Sequence, residues 1–147
     1  MATIFDAPAR EATLARIERL AANSQPVWGK MNVGQMVVHC DLQLKLALGE
    51  LKGAPMKTPV GRFPIKQLAL YVLPTPKGVP TMPELRDPVT GDWHSDREKL
   101  KTDIGRVVQK DRNQPWPVHP AFGILSSSQW GRLILSHLDH HLKQFGA

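Results

Sequence analysis

The stretch Ser136–Gly146, SHLDHHLKQFG, holds His137, His140 and His141, half of the chain's six histidines. Imidazole nitrogen is a common ligand for transition metals, so the direction of each ring matters. On a helix each residue turns about 100° from the last. With Trp130 at zero, Ile134 lies at about 40° and Leu133 at about −60°, and both mark the apolar face. His137 and His141 fall at about −20° and 20°, in the middle of that face, while His140 falls at about −80°, on its margin. Gln144, at about −40°, follows on the same side. Two imidazoles at i and i+4 lie one turn apart, as two metal ligands on one helix must. A lone histidine on an apolar face is most often a core residue with a satisfied ring. A buried pair without a shared partner costs free energy for every unpaired polar group. No Glu follows the first histidine, so this is not the H-E-x-x-H helix of a metalloprotease.

A third ligand must come from elsewhere, and spacing leaves His39, His94 and His119 as candidates. His94 lies in the polar run GDWHSD and reads as surface. His119 lies between prolines in VHPAFG and can turn inward. His39 belongs to an i, i+4, i+8 line with Gln35 and Gln43, a narrow polar strip on an otherwise apolar helix. Such a strip is either a solvated edge or the lining of a wet pocket.

Four helices position these residues. The first is expected from about Ala7 to Asn23, capped by Asp6 with Pro8 early in it, and with Leu14, Ile17, Leu20 and Ala21 on one face. The second is expected from about Asn32 to Glu50, with Asn32 and Gln35 as a variant capping box. Met36, Cys40, Leu44, Ala47 and Leu48 form its stripe, and Val38, Leu42 and Leu46 make it apolar on other sides. The third is expected from about Asp96 to Lys110 behind a Ser95/Glu98 capping box, with Leu100, Ile104, Val107 and Val108 inward. Three prolines in RNQPWPVHPAFGIL break it. The fourth is expected from Ser126, paired with Gln129, to about Phe145, where Gly146 stops it. Between the second and third, Leu51–Trp93 is rich in proline and glycine. Within it PIKQLALYVLP is a short helix or a strand, and PTPKGVPTMPELRDP is an extended loop. Four long helices with one long crossing segment suggest a helical bundle in a single domain, residues 1–147.

The 147-residue chain is long enough for one core. A formal charge of +6 is spread over scattered lysines and arginines, those in Asp96–Arg112 mixed with acids. A nucleic-acid binder more often clusters its basic residues and interleaves aromatics, so the pattern favours a plain basic protein. The lone cysteine, Cys40, excludes an intramolecular disulfide and a cysteine-built zinc site, and reads as a small core hydrophobe. No run is long enough to span a bilayer, and the N-terminus lacks the pattern of a signal peptide. The expectation is a cytoplasmic protein with no nucleic-acid and no membrane partner.

VWGKMNVGQMVVHCDLQL (Val27–Leu44) and HPAFGILSSSQWGRLILSHLDHHLKQFG (His119–Gly146) resemble an uncharacterised branch of the DinB/YfiT-like superfamily. The likeness covers both ends of the bundle and most of the chain. It implies an all-α, up-down-down-up four-helix bundle with a long Pro-rich crossover between helices 2 and 3. It also implies a divalent metal, zinc or nickel, held by one histidine of the second helix and the HxxxH pair of the last: His39, His137 and His141. His140 has no ligand role in that pattern and stands beside the site or on the surface. His119, Gln144 and Gln43 are candidates to touch substrate or support a ligand.

Three neutral imidazoles leave an open coordination position, the style of a catalytic site. Asp41 lies about 160° around its helix from His39, and Asp139 about 160° from His137, so neither is placed as a general base. The expectation is a small-molecule transferase or hydrolase, with a low-molecular-weight thiol as a fitting substrate because it is itself acidic. The alternatives are a bundle that holds a metal or ligand without turnover, or an interaction protein with a vestigial site. The resemblance also suggests pairing through helix faces as a homodimer.

Overall fold

A computed structural model describes residues 1–78 and 81–147 of the chain. Its elements are five α-helices: α1 (Ala7–Glu18), α2 (Val33–Leu48), α3 (Ile65–Tyr71), α4 (Trp93–Gln109) and α5 (Ser127–Gln144). Two 3₁₀ turns, Pro59–Gly61 and Pro83–Leu85, lie in the crossing segment, and there is no strand among the described residues. Val79 and Pro80, part of the stretch expected as extended loop, lie outside the described residues.

α2 and α5 begin where the sequence predicts. The Asn32 side chain accepts from the Gln35 amide at 2.8 Å, and Gln35 returns the bond to the Asn32 amide at 3.0 Å. Ser126 and Gln129 do the same for α5, at 3.1 and 3.0 Å. Each pair satisfies two backbone donors that a helix start leaves open. Gly49 ends α2 in the left-handed region, at φ 76°.

Three expectations are corrected. α1 stops at Glu18, short of Asn23; Leu20 is still buried beyond it, but Ala21 is exposed. The Asp6 carboxylate does not cap α1, because it accepts instead from the Thr3 amide at 2.6 Å and the Thr3 hydroxyl at 3.0 Å. α4 starts three residues before Asp96: Asp92 is the cap, accepting from the Ser95 amide at 2.9 Å, which makes Ser95 part of the first turn. The choice left open for PIKQLALYVLP resolves as helix, since a single apolar stretch with only Leu70 buried has no sheet to join.

α2 packs against both α4 and α5, and α1 packs against α5 and α4. Met36, Val37 and Leu44 of α2, Leu100, Ile104 and Val107 of α4, and Trp130, Ile134 and Leu138 of α5 are essentially inaccessible. Each such side chain contributes about 1.5–3 kcal/mol through burial. Trp130 also donates from its indole nitrogen to the Pro117 carbonyl at 3.0 Å, which ties the proline-rich turn before α5 to the core. No helix among the described residues is long and apolar enough to cross a membrane.

Candidate metal centre

α2 is buried on two sides, and one of them faces α5. There His39 meets His137 and His141. One ring nitrogen from each of the three lies within 4.8 Å of the others. Nitrogens sharing one ion stand about 3–4 Å apart, so a small swing of one ring closes the set. His39 Nε2 is 3.0 Å from His137 Nε2, and the His137 and His141 ring centroids are 4.6 Å apart across one turn.

Hydrogen bonds decide which nitrogen each ring offers. His39 Nδ1 is 3.1 Å from the Leu85 carbonyl, which can only accept. Nδ1 therefore carries the proton, and Nε2 presents its lone pair toward α5. His141 Nδ1 is 2.7 Å from Gln144 Oε1, while Gln144 Nε2 donates to the Trp28 carbonyl at 3.0 Å. The Trp28 carbonyl sets the amide's orientation, the amide sets the tautomer of His141, and its Nε2 is again free. His137 has no such support: its Nδ1 is buried without a partner. If Nδ1 carries the proton, two lone pairs face each other at 3.0 Å; if Nε2 does, a buried acceptor is orphaned. A cation among the three Nε2 atoms removes the clash of lone pairs. The donor set thus fits a transition ion that favours imidazole.

Protonation does not compete. Burial holds His39 below its ordinary range, against the opposing pull of the Leu85 carbonyl. Burial, then the neighbouring His39, brings His141 down to about 4, and burial with its four histidine neighbours holds His137 well below its ordinary value. Near neutral pH all three are neutral, the form that ligates.

The loop before α2 belongs to this centre, a role its sequence does not signal. The Val27 amide donates to the Gln144 carbonyl at 2.7 Å, and Gly29 sits at φ 84° with Gln144 Nε2 where a Cβ would stand, at 2.4 Å. Only glycine accepts both that backbone conformation and that approach. The Leu85 carbonyl likewise leaves no mark in the sequence, because any residue supplies one.

The other candidates are distributed around the centre. His140 is half-buried, its ring 5.7 Å from the Trp28 ring and 5.0 Å from that of His141. Gln43 is buried one turn along α2 from His39, with Oε1 unpartnered. His119 turns inward but is not in the group of three; its Nδ1 accepts from the Ala121 and Phe122 amides, at 3.0 and 3.1 Å, and its ring packs on Trp130. His94 is exposed, on the first turn of α4. Cys40 is buried with its thiol toward Met36 Sδ at 3.7 Å, and burial pushes its pKa up, which makes it inert. Asp139 pairs with Arg16 at 2.7 Å and Lys143 at 2.8 Å, and Asp41 neighbours Asp103 of α4, with Lys45 3.6 Å away. Both carboxylates face away from the histidines, Asp41 toward Asp103 and Lys45, and Asp139 toward Arg16 and Lys143.

No curated protein and no solved structure matches the chain. A family model described as a protein of unknown function, DUF1569, matches residues 4–147. The three-histidine centre, the loop that buttresses it and both capped helices all fall inside the matched region, and the chain belongs to the DUF1569 family.

Proposed function

We propose that the protein is a metal-dependent enzyme of the DinB/YfiT-like kind, built as a four-helix bundle with α3 added in its crossover. His39, His137 and His141 would hold one zinc or nickel ion. One observation carries this reading: three neutral imidazoles converge, with two tautomers set by the Leu85 carbonyl and Gln144 so that Nε2 points inward. When bound, the ion supplies Lewis acidity that lowers the pKa of a thiol or water beside it.

The chain's own residues orient the ligands and exclude bulk water from two of the three. Neither Asp41 nor Asp139 is placed as a general base, since both face away from the histidines. A substrate that is itself acidic needs none, which favours a small thiol and a transferase over a hydrolase. The same lack of a base is what a bundle that holds metal without turnover would show, and it keeps that second reading in play.

Elemental analysis of protein purified without a nickel column tests the site, beside a His137→Ala, His141→Ala double variant. The expected result is stoichiometric zinc or nickel in the parent and none in the variant. Metal-free parent protein that takes up neither ion when offered them would end the metalloenzyme reading.

A further inference from the structure

The lysines and arginines are scattered, but most of their excess over the acids falls in one stretch. Between Glu50 and Glu84 there is no acidic residue, while Lys52, Lys57, Arg62, Lys66 and Lys77 are all basic. With a formal net charge of +6 for the whole chain, the remainder is close to neutral. None of these five joins an ion pair among the described residues.

α3 lies within that stretch. Leu70 anchors it, buried, and Arg132 of α5 donates to the Leu70 carbonyl at 3.2 Å. Lys66 ties it to the Ile124 carbonyl. The helix is thus held to the body by one side, and its other side is apolar. Ile65, Leu68 and Val72 fall within about 60° of one another around the helix axis. They are 41%, 41% and 67% exposed, and Phe63 and Leu73 flank them at 82% and 58%. Apolar surface grouped this way and rimmed by charge marks a contact face.

Charge selects the occupant. A second copy docked symmetrically would set the basic residues against their own images, with no acid in the stretch to answer them. A protein partner would need a cavity shaped to side chains that stand out from a convex helix, whereas a fluid interface conforms to them. We infer that α3, with Phe63 and Leu73, is a peripheral docking face for an anionic phospholipid surface. The apolar side chains enter the acyl boundary, and the exposed Lys57 and Arg62 meet the headgroup phosphates. Lys77 is turned onto the Trp28 ring, 4.3 Å from its centre, and is not part of this face. The lack of a spanning run, which led to the expectation of no membrane partner, does not bear on surface docking.

The test is co-sedimentation of the full chain with vesicles of phosphatidylglycerol and phosphatidylcholine, against phosphatidylcholine alone. The expected result is about tenfold more binding to the anionic vesicles, lost at high salt. Two variants, Phe63→Ser with Val72→Ser and Lys57→Glu with Arg62→Glu, should each lose that binding. All four positions are exposed, so both variants should melt as the parent does. No binding to anionic vesicles, equal binding to both compositions, or binding kept by either variant would overturn the inference. So would a dimer in solution that Phe63→Ser, Val72→Ser dissolves without any vesicle binding, because a second copy would then cover the face. The metal content of the protein is independent of every one of these outcomes.

Discussion

α2 carries two buried polar side chains only two residues apart, and they meet opposite neighbours. His39 faces α5 and is 4% exposed; Asp41 faces α4 and is also 4% exposed. On each side a second helix brings a like group: His137 and His141 on one, Asp103 on the other. On the carboxylate side Asp41 Oδ1 and Asp103 Oδ2 have no other partner, and one proton between them would answer both. Burial, then the neighbouring Asp103, pushes the Asp41 carboxyl up to about 7, which favours such a proton. Burial alone would raise Asp103 too, but the proton of Asp41 and the Arg106 guanidinium, 2.9 Å away, outweigh it and hold Asp103 down. Lys45 adds a cation 3.6 Å from Asp41. The imidazoles have no such answer, because two tautomers are already spent on Leu85 and Gln144, and His137 Nδ1 stays unpaired. Burial of polar groups therefore does not by itself mark a site. What marks it is that three neutral rings turn Nε2 toward one point, where a single cation would satisfy all three lone pairs.

The strongest way to break the histidine side is from a distance. Gly29→Ala puts a Cβ at the Gln144 amide and holds a left-handed φ without glycine. It should cost about 1–3 kcal/mol of stability in a thermal or urea melt, and zinc affinity should fall with it. Unchanged stability would mean that the loop does not press on Gln144.

Gln144→Leu separates support from packing. It removes the acceptor of His141 while filling the space, and should weaken zinc binding about 10–100-fold in a competition titration. Gln144→Glu keeps an acceptor and should lose much less. Equal losses in the two variants would show that the Gln144 side chain does not act by fixing the tautomer of His141.

The carboxylate side should respond to pH and not to metal. Asp41 has a folded pKa raised above its ordinary 3.8, so its contribution is fully present below that value and is lost as pH rises through about 7. Asp103 is depressed, so its contribution is present above its ordinary value and lost as pH falls toward the acid range. Stability should peak at about pH 4, decline from there to about pH 7, and level off above it. Asp41→Asn should flatten that decline, leaving zinc binding unchanged. A decline of the same size in the variant would show that the pair does not share a proton.

The smallest effect should come from Arg16→Ala. Its partner Asp139 is only two residues from His137, yet their ion pair is partly exposed. The loss should be about 0–1 kcal/mol, with no change in metal content. A larger effect on metal would place Asp139 within the chemistry after all.

The capping pairs Asn32/Gln35 and Ser126/Gln129 were legible because a helix start is settled within four residues. The beginning of α4 was not, since Asp92 and Ser95 compete for one role and only the packed chain shows that Asp92 takes it. α3 was equally ambiguous, because seven residues are too few for periodicity to distinguish helix from strand.

The centre divides the same way. The sequence by itself determined that His137 and His141 share the apolar face of one helix, because the α-helical turn makes i and i+4 neighbours wherever the helix goes. It also determined that Asp41 and Asp139 point away from those rings, for the same reason. Only the tertiary structure decided that His39, 98 residues from His137, completes the group and that His119 does not. It alone decided which nitrogen each ring presents, because the Leu85 and Trp28 carbonyls that set the tautomers are backbone atoms, identical in every residue and placed by packing alone.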